Sequence, residues 1–487
     1  MQVLRPTDAQ SSANPIPRAD FTHTIDGGAV AGSGVLHVLN PATETVFAHC
    51  PDLTPAAFET SVAAARRAFQ TWRFVPLDER RQKLLALAAA LRDHKEELAT
   101  LLTQEQGKPL VNARREIDNS VHHIEQVVTI DIGVEVLQAA SGDRAELHFR
   151  PLGVIGAITP WNVPVGIAIQ KIAQALYTGN TMVLKPSPYT PLTTLKIGEL
   201  SRTILPPGVL NVVAGGNEVG AWLTQHPHIE KISFTGSLPT GRKVAVAGVS
   251  ANLKRLTLEL GGNDAAIVLD DVHVAAVAPK LFAAAFANAG QVCMAIKRLY
   301  VQARVYEPVC AALTDLANKI RVGDGMHPDT QMGPVQNAAQ YRRVLHLLAD
   351  ARARPEARIV AGGTCLSPPG YFIAPTIVTG LREGVPLVDE EPFGPVLPVL
   401  QFDTVEEVLQ RANQTRFGLS GSVWSANVAR AASIAARLEV GTAWVNRHIG
   451  ADMLLPFGGA KDSGVGREHG KLGLQSYMEA QVIQIAG

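Results

Sequence analysis

Between Leu152 and Phe234, short apolar runs alternate with segments of helical spacing. Residues 153–158, 181–184, 209–213 and 231–234 read as strands, and 166–176, 192–205 and 219–224 as helices. Strand and helix in turn predict a parallel, doubly wound sheet, because each helix carries the chain back to the same edge. Ligands bind such sheets beyond the carboxyl ends of the strands. Trp161, Lys185 and the turn Thr235-Gly236-Ser237 fall at those ends.

A second α/β region starts near Leu260, with strands at 265–269, 298–301 and 441–445 and helices at 273–289 and 305–320. A chain of 487 residues is too long for one core, so two or three domains are expected. Residues 22–50 read as short strands with Gly-rich turns. Thr54 and Pro55 supply an N-cap and an N1 proline for a helix reaching about Trp72. Residues 78–104 read as one long amphipathic helix, with Leu84, Leu85, Leu87, Leu91, Leu98, Leu101 and Leu102 largely on one side. Residues 135–150 read as a hairpin turning at Ser141-Gly142-Asp143. The last strand, 481–485, has no evident partner of its own. Hairpin and strand read either as an arm exchanged between subunits or as a peripheral hairpin and a tail.

Lys plus Arg and Asp plus Glu both number 44, which gives no electrostatic case for nucleic acid or an anionic membrane. The stretch 151–169 is apolar but broken by Pro160, Asn162 and Pro164, so no membrane span is expected. Residues 1–20 lack an apolar core of a signal peptide and are expected to fray. The cysteines Cys50, Cys293, Cys310 and Cys365 form no CxxC pair, so neither a zinc site nor a disulfide framework is expected, and a reducing cytoplasm fits.

Cys293 follows Glu259 by 34 residues, and Asn162 lies upstream. Thiol, carboxylate and amide are the three parts that attack a carbonyl, activate water and hold an oxyanion. Taken singly, Cys293 reads as a small buried hydrophobe, Glu259 as a solvated strand end, and Trp161 and Asn162 as core and turn. Gly290 before Cys293 and the pair Gly261-Gly262 after Glu259 shift the balance, since backbones approach closely there. The turn after Phe234 lacks the G-x-G-x-x-G order. Gly236 and Gly241 have Walker spacing, but Arg242-Lys243 follows where Lys-Ser/Thr is needed. Glu390-Glu391 opens an acidic turn suited to a ribose diol or to solvent.

Together these segments resemble the aldehyde dehydrogenase superfamily over nearly the whole chain. The markers occur in order: Glu105-Gln106-Gly107-Lys108-Pro109, Pro160-Trp161-Asn162, Lys185-Pro186-Ser187, Phe234-Thr235-Gly236-Ser237, Glu259-Leu260-Gly261-Gly262, Gly290-Gln291-Val292-Cys293, Glu391-Pro392-Phe393-Gly394-Pro395, Asn446 and Pro456-Phe457-Gly458-Gly459. The resemblance implies a Rossmann-like cofactor domain from 1–130 and 151–259, an α/β catalytic domain at 260–462, and an oligomerisation arm from 131–150 and 463–487. It implies a homodimer or homotetramer that oxidises an aldehyde with NAD or NADP, NAD slightly favoured, without a metal. It implies Cys293 as nucleophile, Glu259 as base and Asn162 as oxyanion donor. Ile158, Trp161, Lys185, Ser187, Gly216, Gly220, Phe234, Gly236, Ser237, Leu260, Glu391 and Phe393 are implied to hold the dinucleotide. Val163, Gly166, Ile167, Gln170, Val292, Met294 and Phe457 are implied to wall the substrate tunnel.

Two positions depart from many relatives. Pro188 stands where NAD-preferring members carry a Glu that accepts from the adenosine ribose, which admits NADP. Val163 and Gln170 stand where many carry aromatics, which widens the tunnel, and no arginine occurs among the implied wall positions. Medium to bulky apolar or aromatic aldehydes are therefore expected. A CoA-acylating enzyme and an inactive cofactor-binding structural protein are the alternatives; Glu259 argues against the first, and intact Cys293, Glu259 and Asn162 against the second.

Overall fold

The computed structural model describes residues 3–5, 21–138, 143–366, 368–450 and 452–486. Two large sheets organise it. The first has eight strands in the order Gly28–Val30, His23–Ile25, Leu210–Val212, Thr181–Lys185, Val154–Ile158, Lys231–Thr235, Arg255–Glu259, Gly464–Val465. Its five inner strands are parallel, and both flanking pairings are antiparallel. The chain moves outward from Val154–Ile158 on one side, then returns to build the other. The reversal opens a crevice at the carboxyl ends, as the alternation predicted.

The second sheet has seven strands in the order Arg358–Ala361, Thr376–Thr379, Val396–Phe402, Ile296–Gln302, Asp264–Val268, Ser420–Trp424, Thr442–Val445. All its pairings are parallel except the outermost one with Arg358–Ala361. Its inner strands are buried on both faces, as parallel strands under helices must be. Glu259 ends a strand of the first sheet and Asp264 begins one of the second, so the sheets meet across Leu260 to Asn263.

Several expectations change in detail. The leucine-rich segment is two helices, Leu77–Asp93 and Lys95–Gln106, because His94 leaves the helical region at φ −99° and ψ 16°. Both bury leucine toward one core, so spacing alone did not show the break. Leu85 is the exposed exception. The helix expected to run to Ala289 is Val274–Phe286; Asn288 and Ala289 turn left-handed. The helix expected to reach Leu205 ends at Ser201. The last strand does have a partner within the chain: Met478–Ile485 pairs antiparallel with Arg144–Pro151, which pairs in turn with Glu135–Gln138. The hairpin turn at Ser141 and Gly142, and the N-terminal stretch apart from residues 3–5, lie outside the described residues.

The helix Pro55–Trp72 starts as expected, with Thr54 Oγ1 accepting from Ala57 N at 3.1 Å. It packs on the strand Thr181–Lys185, whose Thr181 hydroxyl donates to Ala65 O at 2.9 Å. Thr54→Ala should cost about 1 kcal/mol of stability. Thermal denaturation should show a lower midpoint with the specific activity of the folded fraction unchanged.

Candidate active site

Cys293 lies in the turn between the helix Val274–Phe286 and the strand Ile296–Gln302. The approach to it is strained: Asn288, Ala289 and Gly290 have φ of 49°, 56° and 73°. A Cβ on Gly290 would lie 2.1 Å from Gly394 O, so no larger residue fits there. The Gln291 amide fixes the turn, donating to Asn288 O at 2.8 Å and Pro334 O at 3.3 Å and accepting from Gln336 N at 2.8 Å.

Asn162 follows the strand Val154–Ile158, and its Nδ2 donates to Gln291 O at 2.9 Å. Its own carbonyl accepts from Lys108 Nζ at 3.1 Å and Asn288 Nδ2 at 3.0 Å. Lys108 is ion-paired with Glu116, and both are buried. Glu116 Oε1 accepts from Val165 N at 3.0 Å and Gly166 N at 3.1 Å, so it caps the helix Pro164–Tyr177. The marker Lys108 thus supports the amide from behind.

Glu259 is buried, and neither carboxylate oxygen has a hydrogen-bond partner within the described chain. Burial holds its carboxyl well above the usual range, helped by Glu468 and opposed by Lys171 and Arg467. Behind it, Lys171 and Glu468 pair at 3.0 Å with no exposure, joined by Ser233 and Gln174. Glu468 is depressed to about 2: burial opposes ionisation, but Lys171 and then Lys231 overcome it. Two carboxylates close enough to interact are driven apart, one toward the acid and one toward the anion.

Cys293, Glu259 and Asn162 all line one cavity of about 970 Å³. All the implied tunnel positions, Val163, Gly166, Ile167, Gln170, Val292, Met294 and Phe457, face it too. Burial pushes the Cys293 thiol up to about 12, opposed by Lys297 and helped by Glu391, Asp264 and Glu259. One face of the helix Leu110–Val127 forms a polar wall through Asn112, Arg115, Asn119 and His123. Their three- and four-residue spacing was visible in the sequence, but without the fold nothing aimed that face at Cys293. Arg447 adds a second arginine to the wall, and it had no sequence signal. His123 and His469 also line the cavity, rings 5.6 Å apart, with all four ring nitrogens unpartnered within the described chain. Burial lowers them to about 3 and about 4, so both are neutral near pH 7.

The implied dinucleotide residues gather at the carboxyl edge of the first sheet. Ile158 pairs in register with Lys185 on one side and Phe234 on the other. The Phe234 ring packs under Gly236, where a Cβ would meet it at 2.6 Å. Gly216 is the N-cap of the helix Asn217–Gln225, on which Gly220 lies, and Ser237 is the N-cap of the helix Leu238–Ala251. Leu260 packs against Gly241 of that second helix. Lys185 is 4% exposed and lowered to about 8 by burial, with Cys50, Asp52 and Glu218 opposing. Its Nζ donates to Pro186 O at 3.1 Å, and Ser187 Oγ accepts from Tyr189 N at 3.2 Å. Across the crevice the Trp161 and Phe393 rings meet edge to face at 5.3 Å. Glu391 Oε1 accepts from Gly262 N at 3.2 Å.

The chain matches the Aldehyde dehydrogenase family over residues 30–483. It is 42% identical over 470 residues to a probable aldehyde dehydrogenase of a Pseudomonas species, covering 96% of this chain and 94% of that one. An aldehyde dehydrogenase of Bacillus cereus solved with NAD+ superposes with a TM-score of 0.93 at 33% identity, covering 100% and 99% of the two chains. An NADP-dependent enzyme of E. coli superposes with a TM-score of 0.92 at 34% identity, covering 95% and 98%. With this match over nearly the whole chain, and a thiol, a carboxylate and an amide on one cavity wall, the chain belongs to the aldehyde dehydrogenase family.

Proposed function

We propose that this enzyme oxidises medium to bulky apolar or aromatic aldehydes to carboxylic acids through a thioester on Cys293. The observation that carries the reading is the buried, unpartnered carboxyl of Glu259 facing the same cavity as Cys293 and Asn162. The Cys293 sulfur, once ionised, bonds to the aldehyde carbon. The carbonyl oxygen becomes an oxyanion, taken up by the Asn162 amide and the Cys293 N–H. A nicotinamide dinucleotide held by Lys185, Ser237 and Glu391 would supply the acceptor for the hydride that leaves this carbon. The carbonyl re-forms as a thioester, and Glu259 removes a proton from the attacking water. The acid leaves and the sulfur regains its proton.

The crevice fits a nicotinamide dinucleotide. Lys185 is a buried cation with no ion-paired carboxylate among the described residues, the N-terminus of the helix Leu238–Ala251 opens behind Ser237, and Glu391 presents a carboxylate. Pro188 itself supplies no carboxylate where NAD-preferring relatives carry a Glu, so NADP is admitted beside NAD, with NAD slightly ahead. We assign 1–130 with 151–259 to the cofactor, 260–462 to catalysis, and 131–150 with 463–487 to the arm that joins subunits in a homodimer or homotetramer. A cytoplasmic location fits the free thiols. No helix of the described residues is long and apolar enough to cross a membrane.

The apolar walls, Val163, Ile167, Val292, Met294 and Phe457, favour an apolar substrate body. Arg115 and Arg447 remove the argument against a substrate carboxylate that rested on the lack of arginine at the wall positions. Glu259 favours water over CoA as acyl acceptor, and the complete catalytic set argues against an inactive structural protein.

Nicotinamide reduction followed by absorbance, with a panel of aldehydes and both dinucleotides, tests the reading. Aromatic and medium-chain aldehydes should exceed short polar ones in kcat/KM. NAD and NADP should differ by less than about tenfold, roughly the worth of one hydrogen bond; turnover with NAD alone would sink the cofactor proposal. Cys293→Ala should abolish turnover and leave dinucleotide binding intact. Glu259→Gln should give one fast burst of reduced nicotinamide and then little more. Because burial raises the Glu259 carboxyl, its ionised fraction grows as pH rises, so acid release in the parent enzyme should accelerate with pH. In the Gln variant that dependence should flatten.

A further inference from the structure

Lys297 is the second residue of the strand Ile296–Gln302, and its side chain is 3% exposed. A buried ammonium needs all three of its donors matched. The partners here are specific. Nζ donates to Val292 O at 3.0 Å and to Cys293 O, and it lies 3.4 Å from Glu391 Oε1. One cation therefore grips both carbonyls of the turn that carries the nucleophile, together with the carboxylate of the opposing acidic turn.

The peptide unit makes this grip directional. Val292 C=O and Cys293 N–H belong to one planar trans peptide, so they point opposite ways. The Val292 oxygen also accepts from Ala295 N at 3.0 Å, so Lys297 and the turn's own backbone together hold this peptide plane and fix the direction of the Cys293 N–H. Among the described residues nothing accepts from that N–H. An N–H without an acceptor beside a reacting thiol is a donor held ready for an oxyanion. Polarisation of the carbonyl by the ammonium also makes its N–H a stronger donor.

We propose that Lys297 is a positioning residue that sets the Cys293 N–H for the oxyanion, favours the thiolate, and ties the nucleophile turn to Glu391. The proposal rests on the aldehyde-oxidation reading above. Four charged groups act on the thiol: Lys297 from its own strand, Asp264 from the neighbouring strand, Glu259 from the first sheet, and Glu391 from the acidic turn. Lys297 alone favours the anion; the other three oppose it.

Two variants test this. Lys297→Met removes the charge at similar length; Lys297→Arg keeps the charge, but its planar head does not reproduce the grip on two adjacent carbonyls. Iodoacetamide labelling of Cys293 without dinucleotide, followed against pH by mass spectrometry of its peptide, reads the thiol alone and separates it from exposed Cys365. Lys297→Met should lower the labelling rate about tenfold at each pH below the thiol's own range, and Lys297→Arg should leave it near the parent value. Single-turnover hydride transfer should fall about a hundredfold in Lys297→Met, the loss expected for a misdirected oxyanion donor, and about tenfold in Lys297→Arg. Parental labelling profiles and hydride rates in both variants would overturn the proposal, as would losses that only track the unfolded fraction. If Lys297→Met does not fold, a parental hydride rate in Lys297→Arg overturns it alone. Parent enzyme that reduces neither dinucleotide with any aldehyde would defeat the underlying reading instead, while labelling would still report on Lys297.

Discussion

The two sheets meet where two backbones come as close as glycine permits. A Cβ on Gly262 would stand 2.9 Å from Cys293 O, and one on Gly261 would stand 2.1 Å from Glu391 Oε2. A side chain at Gly262 would press on the backbone of the nucleophile turn, and one at Gly261 would displace the Glu391 carboxylate. The site is therefore a property of the contact between sheets and belongs to neither alone. Glu259 comes from the first sheet, Cys293 from a turn of the second, and Asn162 reaches across to Gln291 O to close the third side.

Charge is distributed around this contact with a consistent logic. Behind the site three buried ion pairs form: Lys108 with Glu116, Lys171 with Glu468, Lys297 with Glu391. Inside the cavity the reacting groups have no such partner, and burial holds both the thiol and the Glu259 carboxyl toward their neutral forms. Paired ions fix geometry, since breaking one strands its partner in a low dielectric. Unpaired groups keep their protons until a substrate changes their surroundings. The same burial that makes the supporting shell rigid makes the working groups responsive.

Much of this was legible in the sequence, and the gaps have physical causes. The alternation of apolar runs and helical spacing fixes the parallel sheets, and the carboxyl ends of their strands place Trp161, Lys185 and Ser237 together. Cys293 and Glu259 were legible as chemistry because nearby glycines mark close approach, and Asn162 through the resemblance that its segment helps to carry. The break at His94 was hidden because the leucines on both sides serve one core. Lys297 was passed over because a lone lysine in a strand ordinarily points to solvent. Arg447 and His469 were invisible because the cavity draws its wall from segments more than three hundred residues apart, and no local period encodes that meeting.

The pairing of Met478–Ile485 with Arg144–Pro151 joins segments separated by more than three hundred residues. At the roughly 5–20 residues per second of protein synthesis, Arg144–Pro151 waits roughly 15–70 seconds for its neighbour to be made. During that interval it has only the short strand Glu135–Gln138 on one side and a bare row of backbone donors and acceptors on the other. Nascent chains on one messenger present that same bare row to each other, so the strand Met478–Ile485 is also the one that withdraws the chain from its siblings.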